Sequence, residues 1–430
     1  MTGPRPAPGV AGEVAYHVPR HGAPIDLPLN GNEGVAPPRA LLTALAAADP
    51  ELLRRYPSAA PLEAALARRF GLDPAAVLVT AGGDDGLDRA FRAFLGPGRE
   101  VVLPTPTFVM LPKYARLVGA TARAVPWPGG PFPTDAVLAA VGPATAAMCV
   151  VSPNNPTGAV ATADDLRRLA AAAPDALLIV DLAYGEMADD DLTAAALALP
   201  NALVFRTFSK AWGLAGARLG YVLGPPALVA WTRAAGNPYA VSGPSVALGL
   251  ARLAAGDADV AAYVATVRAE RALLAERLRE LGASAPDSQA NFVLARFAAH
   301  ATAHWVHDAL AGLGIAVRLF GADPPELRGA LRITCPGDAA ALDRLLHGLT
   351  AALQPGAQIV EDLLALDCLE GAPAWFFSAR ASSLARARAA GAVPIGLTGP
   401  GADPPEALTA AGAARVVSHP DELDPLLGHA

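Results

Sequence analysis

Leu203-Val204-Phe205-Arg206-Thr207-Phe208-Ser209-Lys210-Ala211-Trp212-Gly213-Leu214-Ala215-Gly216-Ala217-Arg218-Leu219-Gly220-Tyr221-Val222-Leu223 joins two apolar runs through a glycine-rich loop. Leu203–Phe205 and Leu219–Leu223 read as buried strands. The loop between them carries two hydroxyls, a lysine and an arginine. Outward from this stretch, short apolar runs alternate with helical patterns. Strands are expected at Val77–Thr80, Val101–Leu103, Ala146–Val151 and Ala176–Val180, with helices near Leu111–Leu117 and Asp164–Ala172. This alternation predicts an α/β fold whose mostly parallel sheet is covered on both faces. Ligands of such a sheet lie at the carboxyl ends of its strands.

The chain has 430 residues, of which 53% are hydrophobic and 17% charged, with a net charge of -7. The length predicts more than one domain, and the acidic balance argues against a partner held by nucleic-acid phosphates. No apolar run is long enough to span a membrane, and the N-terminus lacks the features of a secretory signal. Cys149, Cys335 and Cys368 stand far apart, without metal-ligand spacing, so no metal site and a reducing cytoplasm are expected. Of 33 basic residues only Lys113 and Lys210 are lysines. Arginine cannot be deprotonated to act as a nucleophile, so both lysines are candidates for chemistry.

After the Leu219–Leu223 strand, a long helical pattern at Ala261–Leu281 leads into a smaller α+β segment. It holds strands at Asn291–Arg296, Ala316–Leu319 and Ala330–Thr334 and a helix at His304–Leu313. Gln354-Pro355-Gly356 reads as a linker. The expected divisions are an N-terminal arm with part of the small domain (1–50), a large domain (51–244), a small domain (245–353) and a C-terminal extension (356–430).

Three motifs carry chemistry. In the first, Lys210 suits a Schiff base with an aldehyde such as that of pyridoxal phosphate, and Thr207, Ser209 and Arg218 suit a phosphate dianion. A surface turn with an ordinary exposed lysine is the plain alternative. The Gly-rich turn Ala81-Gly82-Gly83-Asp84-Asp85-Gly86 at a helix start is either an anion site or a turn capped by aspartate. In the second, Ser152-Pro153-Asn154-Asn155-Pro156-Thr157-Gly158 ends a strand in a rigid turn that displays Asn155, whose amide can donate to a phenolate such as pyridoxal O3′. In the third, Leu178-Ile179-Val180-Asp181 places a carboxylate at the end of an apolar strand. Asp181 is read either as the partner of a pyridinium N–H, with Tyr184 adding a bond to O3′, or as a helix N-cap.

TFSKAWGLAGARLGY, SPNNPTG and VDLAYGE, taken together, resemble the fold-type I pyridoxal-phosphate aminotransferases, and most of all their histidinol-phosphate branch. The resemblance spans roughly residues 14–353. It implies a large domain with a mostly parallel sheet and a small α+β domain. It also implies pyridoxal 5′-phosphate as cofactor, Lys210 as the Schiff-base lysine, Asp181 on the ring nitrogen, and Asn155 and Tyr184 on O3′. Gly83, Asp84, Thr207, Ser209 and Arg218 are implied around the phosphate, with Phe108 stacked on the ring. Tyr56 matches a tyrosine that reaches the neighbouring subunit's cofactor, which implies a homodimer. On the substrate side the resemblance implies Arg332, Arg318, Tyr16 and Asn32, with an amino donor and a 2-oxo acid as reactants. The chain departs from the usual pattern at Leu182 and Ala240.

The shared cofactor residues do not separate transamination from decarboxylation or oxidation on the same fold. A non-catalytic sensor module is disfavoured because no basic helix-turn-helix segment is present. The extension, with Ala385–Leu397 and Ala410–Ala413, resembles the C-terminal half of haloacid-dehalogenase-like phosphatases. It lacks their acidic signatures at Asp367-Cys368-Leu369 and Phe377-Ser378-Ala379-Arg380, so a degenerate fragment without phosphatase activity is expected.

Overall fold

The computed structural model describes residues 4–15, 21–321, 324–354, 359–360 and 372–423. Tyr16, Asp367 and Cys368 lie outside these residues. The chain forms two compact units. The first contains Met1–Ala15, Glu33–Ala265 and Ser288–Ala290; the second contains Tyr16–Asn32, Thr266–Asp287 and Asn291–Ala430. These limits differ from the sequence-based divisions, and the one between Ala265 and Thr266 falls within the 23-residue helix Ala258–Glu280.

The first unit is built on a seven-stranded sheet. Its order from edge to edge is Val77–Thr80, Gly220–Leu223, Ala202–Thr207, Leu177–Asp181, Thr145–Val151, Glu100–Thr105 and Thr121–Pro126. Gly220–Leu223 runs antiparallel to both neighbours and the remaining pairings are parallel. Every residue of Leu177–Asp181 and Ala202–Thr207 is buried, as expected of central strands covered on both faces. The strand order reverses between Glu100–Thr105 and Thr145–Val151, so the loops leaving these strands open a crevice at the carboxyl edge.

Thr121–Pro126 was not among the expected strands. Its sequence, TARAVP, is mostly solvent-facing at the sheet edge and carries no apolar run. The helices Thr134–Ala140, Pro226–Ala234 and Gly243–Ala254 were also unanticipated. The last two open with proline at their first turn, a position that tolerates it because the lost N–H has no helical partner.

In the second unit, Phe292–Arg296, Ala330–Thr334 and Arg318–Leu319 form an antiparallel sheet with Ala330–Thr334 in the centre. The single strand expected at Ala316–Leu319 is in fact two. Ile315–Ala316 pairs with Leu27–Pro28, and Arg318–Leu319 pairs with Leu331–Arg332. The chain changes sheets at buried Val317.

The extension forms its own four-stranded parallel sheet, Ile359–Val360, Trp375–Ser378, Val393–Leu397 and Arg415–Val417. It packs on the helices His300–Gly312 and Ala339–Leu353 of the same unit. Trp375 meets Trp305 edge to face at 4.7 Å, and both rings are 1% exposed. Their indole N–H groups donate to the Ala351 and Ala352 carbonyls, at 2.8 and 2.9 Å, and Arg415 pairs with Asp308 at 2.9 Å. Trp375→Ala is expected to lower stability by about 3–5 kcal/mol, through lost ring burial and an orphaned carbonyl. Denaturant unfolding checks this, and an unchanged midpoint would show that the contact does not support the fold.

No helix among the described residues is long and apolar enough to cross a membrane. The described residues also hold no group of three or more histidine, cysteine or acidic side chains arranged for a metal ion.

Candidate active site

The carboxyl ends of four parallel strands of the first unit bring most of the expected residues to one crevice. Phe108 follows Glu100–Thr105, Asn155 follows Thr145–Val151, Asp181 ends its strand, and Thr207, Ser209 and Lys210 close the Ala202–Thr207 strand. Lys210 Nζ lies 5.6 Å from the centre of the Tyr184 ring. The backbone of Lys210 is fixed from outside the motif. A Cβ on Gly34 would come within 2.1 Å of the Lys210 carbonyl oxygen, and one on Gly213, which has φ +70°, within 2.4 Å of the Val35 oxygen. Glycine at both positions lets residues 34–35 lie directly on the lysine loop.

Asp181 is 6% exposed, and its carboxylate accepts the Ala183 N–H at 3.0 Å. No α-helix starts there, so the N-cap reading fails. Burial in the sheet pushes its carboxyl up to about 7, opposed by the Ala183 N–H and by the Lys210 charge. Desolvation dominates here, and among the described residues no salt bridge to Asp181 forms.

Gly82, Thr207, Ser209 and Arg218 converge at the start of the helix Gly83–Phe94. Gly82 is the cap residue, at φ 86°, and no side chain caps the helix. The expected capping aspartate instead works further back: Asp85 accepts the Ala81 N–H at 2.9 Å and pairs with Arg89 at 2.9 Å. Thr207 Oγ1 and Ser209 Oγ are 2.9 Å apart. Arg218, at φ 51°, stands beside the Gly82 backbone and 3.4 Å from Asp84. Tyr56 is away from this cluster. It is 81% exposed and stacks on Tyr239 at 4.6 Å.

Two groups of residues that organise this crevice went unread in the sequence. Asn154 is completely buried; its Nδ2 donates to the Pro106 carbonyl and to Thr157 Oγ1, both at 2.9 Å, and its Oδ1 accepts Thr107 Oγ1 at 3.1 Å. It ties the Asn155 loop to the Phe108 loop. Glu186 accepts the Trp212 indole N–H at 3.0 Å and pairs with buried Arg206 at 2.8 Å. Arg206 also reaches Asp191 at 2.7 Å. The segment after Tyr184 is thereby tied to residues on both sides of Lys210.

In the second unit, Arg318 and Arg332 are direct cross-strand partners, so their side chains leave the same face of the sheet. Arg332 is 9% exposed, donates to the Asn30 carbonyl at 2.8 Å and lies over the Phe292 ring at 5.4 Å. Asn32 is buried at φ 55°, and its Oδ1 accepts the Thr334 hydroxyl at 2.9 Å.

The chain is similar to known enzymes over most of its length. A family model described as aminotransferase class I and II matches residues 25–349. The histidinol-phosphate aminotransferase of Rhodospirillum centenum is 38% identical over 347 residues, covering 78% of this chain and 94% of that protein. The enzyme of the same name from Paracoccus denitrificans is 38% identical over 69% of this chain and 80% of its own length. Among solved structures, histidinol-phosphate aminotransferase from Sinorhizobium meliloti in complex with pyridoxal-5′-phosphate superposes with a TM-score of 0.68 at 28% identity. That match covers 77% of this chain and 92% of the other. A single mutant of aspartate aminotransferase from Thermus thermophilus gives a TM-score of 0.65 at 26% identity over 76% of this chain and 92% of the other, so the fold by itself does not choose the substrate. With these matches, the buried carboxyl, the lysine and the helix start together identify the chain as a member of the class I and II aminotransferases, a pyridoxal-phosphate-dependent aminotransferase.

Proposed function

We propose that the enzyme takes an amino group from an anionic amine of the histidinol-phosphate type and passes it to a 2-oxo acid such as 2-oxoglutarate, acting as a cytoplasmic homodimer. The residues present fit the cofactor. Asp181 is a buried carboxyl that a ring N–H cation would stabilise in its charged form. The uncapped start of Gly83–Phe94, with the Thr207 and Ser209 hydroxyls and Arg218, suits a phosphate. A Cβ on Gly220 would lie 2.6 Å from the Gly83 nitrogen, so glycine there keeps the strand against the helix start.

When bound, pyridoxal phosphate supplies an aldehyde to carry the amino group and a protonated ring to draw electrons from Cα. Lys210 Nζ would hold the cofactor at rest and, in turnover, would move the proton between Cα and C4′. Asp181 would keep the proton on the ring nitrogen. Asn155 and Tyr184 would hold O3′, and Phe108 would cover the ring. Exposed Tyr56 and Tyr239, 81% and 52% accessible, support a dimer in which Tyr56 serves the partner's site. The buried free thiols Cys149 and Cys335 support a reducing compartment.

The substrate reading is carried by the Arg318–Arg332 pair. Arg318 and Arg332 leave one sheet face as direct cross-strand partners, which suits them to share one anion. Histidinol phosphate has a phosphate and no carboxylate, so both arginines are needed for one dianion. Arg318→Ala is expected to lower kcat/KM for histidinol phosphate by about tenfold or more, while small neutral amino acids change little. Steady-state kinetics with both donors test this. If wild-type enzyme ignores histidinol phosphate but uses ordinary amino acids, the substrate assignment is wrong and the aminotransferase class stands.

A further inference from the structure

Within the second unit, the extension and the small domain enclose a cavity of about 590 Å³ that the aminotransferase chemistry does not use. Its walls are largely apolar: Pro24, Leu313, Ala385, Ala389, Ala410 and Ala411. Its polar groups are Asp26, Arg344, Arg388 and His347. Arg344 grips Asp26 with two bonds, at 2.6 and 2.9 Å, and Arg388 adds a third at 3.0 Å. His347 Nε2 is committed to the Gly391 carbonyl at 2.9 Å. Two guanidiniums thus face one carboxylate, leaving an excess of one positive charge. Arg388 Nη1 is buried with no hydrogen-bond partner.

The convergence is built into the backbone. Gly314 has φ +85°, and a Cβ there would fall 2.0 Å from Asp26 Oδ1, 2.4 Å from Arg388 Nη2 and 2.7 Å from Arg344 Nη2. Only glycine lets three charged groups from three distant segments close on this turn. A buried guanidinium N–H without a partner is costly. A concave, mainly apolar site of this volume with a few convergent polar groups has the character of a small-molecule site.

We propose that this cavity binds a small organic anion with an apolar body, its charged head on Arg388 and Arg344 and its body against the alanine walls. The site is independent of the amino substrate. It also gives the extension a role, since Arg388 and all four of the alanines belong to it.

Hydrogen exchange on the holoenzyme, with phenyl phosphate as probe and inorganic phosphate as the headgroup control, tests the proposal. Phenyl phosphate is expected to slow exchange in peptides covering residues 21–29 and 381–391, with inorganic phosphate acting more weakly. The combined Arg344→Gln and Arg388→Gln variant should lose this protection, and Arg388→Lys should keep it. Should the combined variant not fold, Arg388→Met, which leaves Arg344 on Asp26, is expected to weaken the effect about tenfold. The proposal is overturned if phenyl phosphate protects only other peptides, or protects these equally in the variants. It is also overturned if no protection appears at millimolar probe.

Discussion

Lys210→Ala is expected to lower transamination by about a thousandfold or more, while the protein still binds pyridoxal phosphate. On the proposed mechanism the lysine has two duties at one atom: it would hold the cofactor covalently and move the proton between Cα and C4′. Loss of positioned proton transfer alone costs about a hundred- to ten-thousandfold, and loss of the activated attachment adds to this. Binding should survive because the proposed phosphate site of Thr207, Ser209, Arg218 and the helix start is unaltered, as is Asp181. Equilibrium dialysis with the cofactor and single-turnover kinetics separate the two effects. A variant that cannot bind the cofactor but turns over normally when saturated would refute this division of roles.

Asp181→Asn is the second large effect, and it should act in opposite directions on activity and on cofactor-free stability. If Asp181 pairs with the ring nitrogen as proposed, the amide would not hold the ring proton, and breaking such a buried pair costs about 3–5 kcal/mol. Turnover is therefore expected to fall by about a hundredfold or more. In the cofactor-free protein the sign reverses. The folded carboxyl sits at about 7, above its ordinary 3.8. Its contribution to stability is complete below 3.8 and is lost as pH rises toward about 7. Cofactor-free Asp181→Asn should match wild type in acid, gain on it through that window, and stay ahead by a constant margin above it. Thermal unfolding across the pH range checks this; parallel curves would contradict it.

How far the sequence discloses this molecule depends on which forces are local. Leu177–Asp181 and Ala202–Thr207 are legible because central parallel strands must be apolar throughout, and a carboxylate ending such a run needs a partner. The lysine loop is legible because its chemistry is compressed into a few residues. Asn154 was passed over for Asn155 because adjacent amides look alike, and only the fold buries one against Pro106 and leaves the other half-exposed. The Glu186–Arg206–Trp212 link joins separate segments and leaves no periodic trace. Thr121–Pro126 escaped because an edge strand needs no apolar face. Absence of the expected acidic signatures made the extension read as a fragment, whereas its docking rests on Trp305 and Trp375, which meet only through tertiary packing.

The most direct measurement exploits the scarcity of lysine. Borohydride reduction of the holoenzyme, followed by peptide mass spectrometry, fixes the cofactor wherever it is attached, and the chain offers only Lys113 and Lys210. Lys113 is engaged at the surface with the Val14 carbonyl and Glu13. The account predicts that the reduced cofactor is found on the peptide containing Lys210 and that pre-incubation with an amino donor prevents the labelling. Cofactor fixed on Lys113, or on neither lysine, would contradict it.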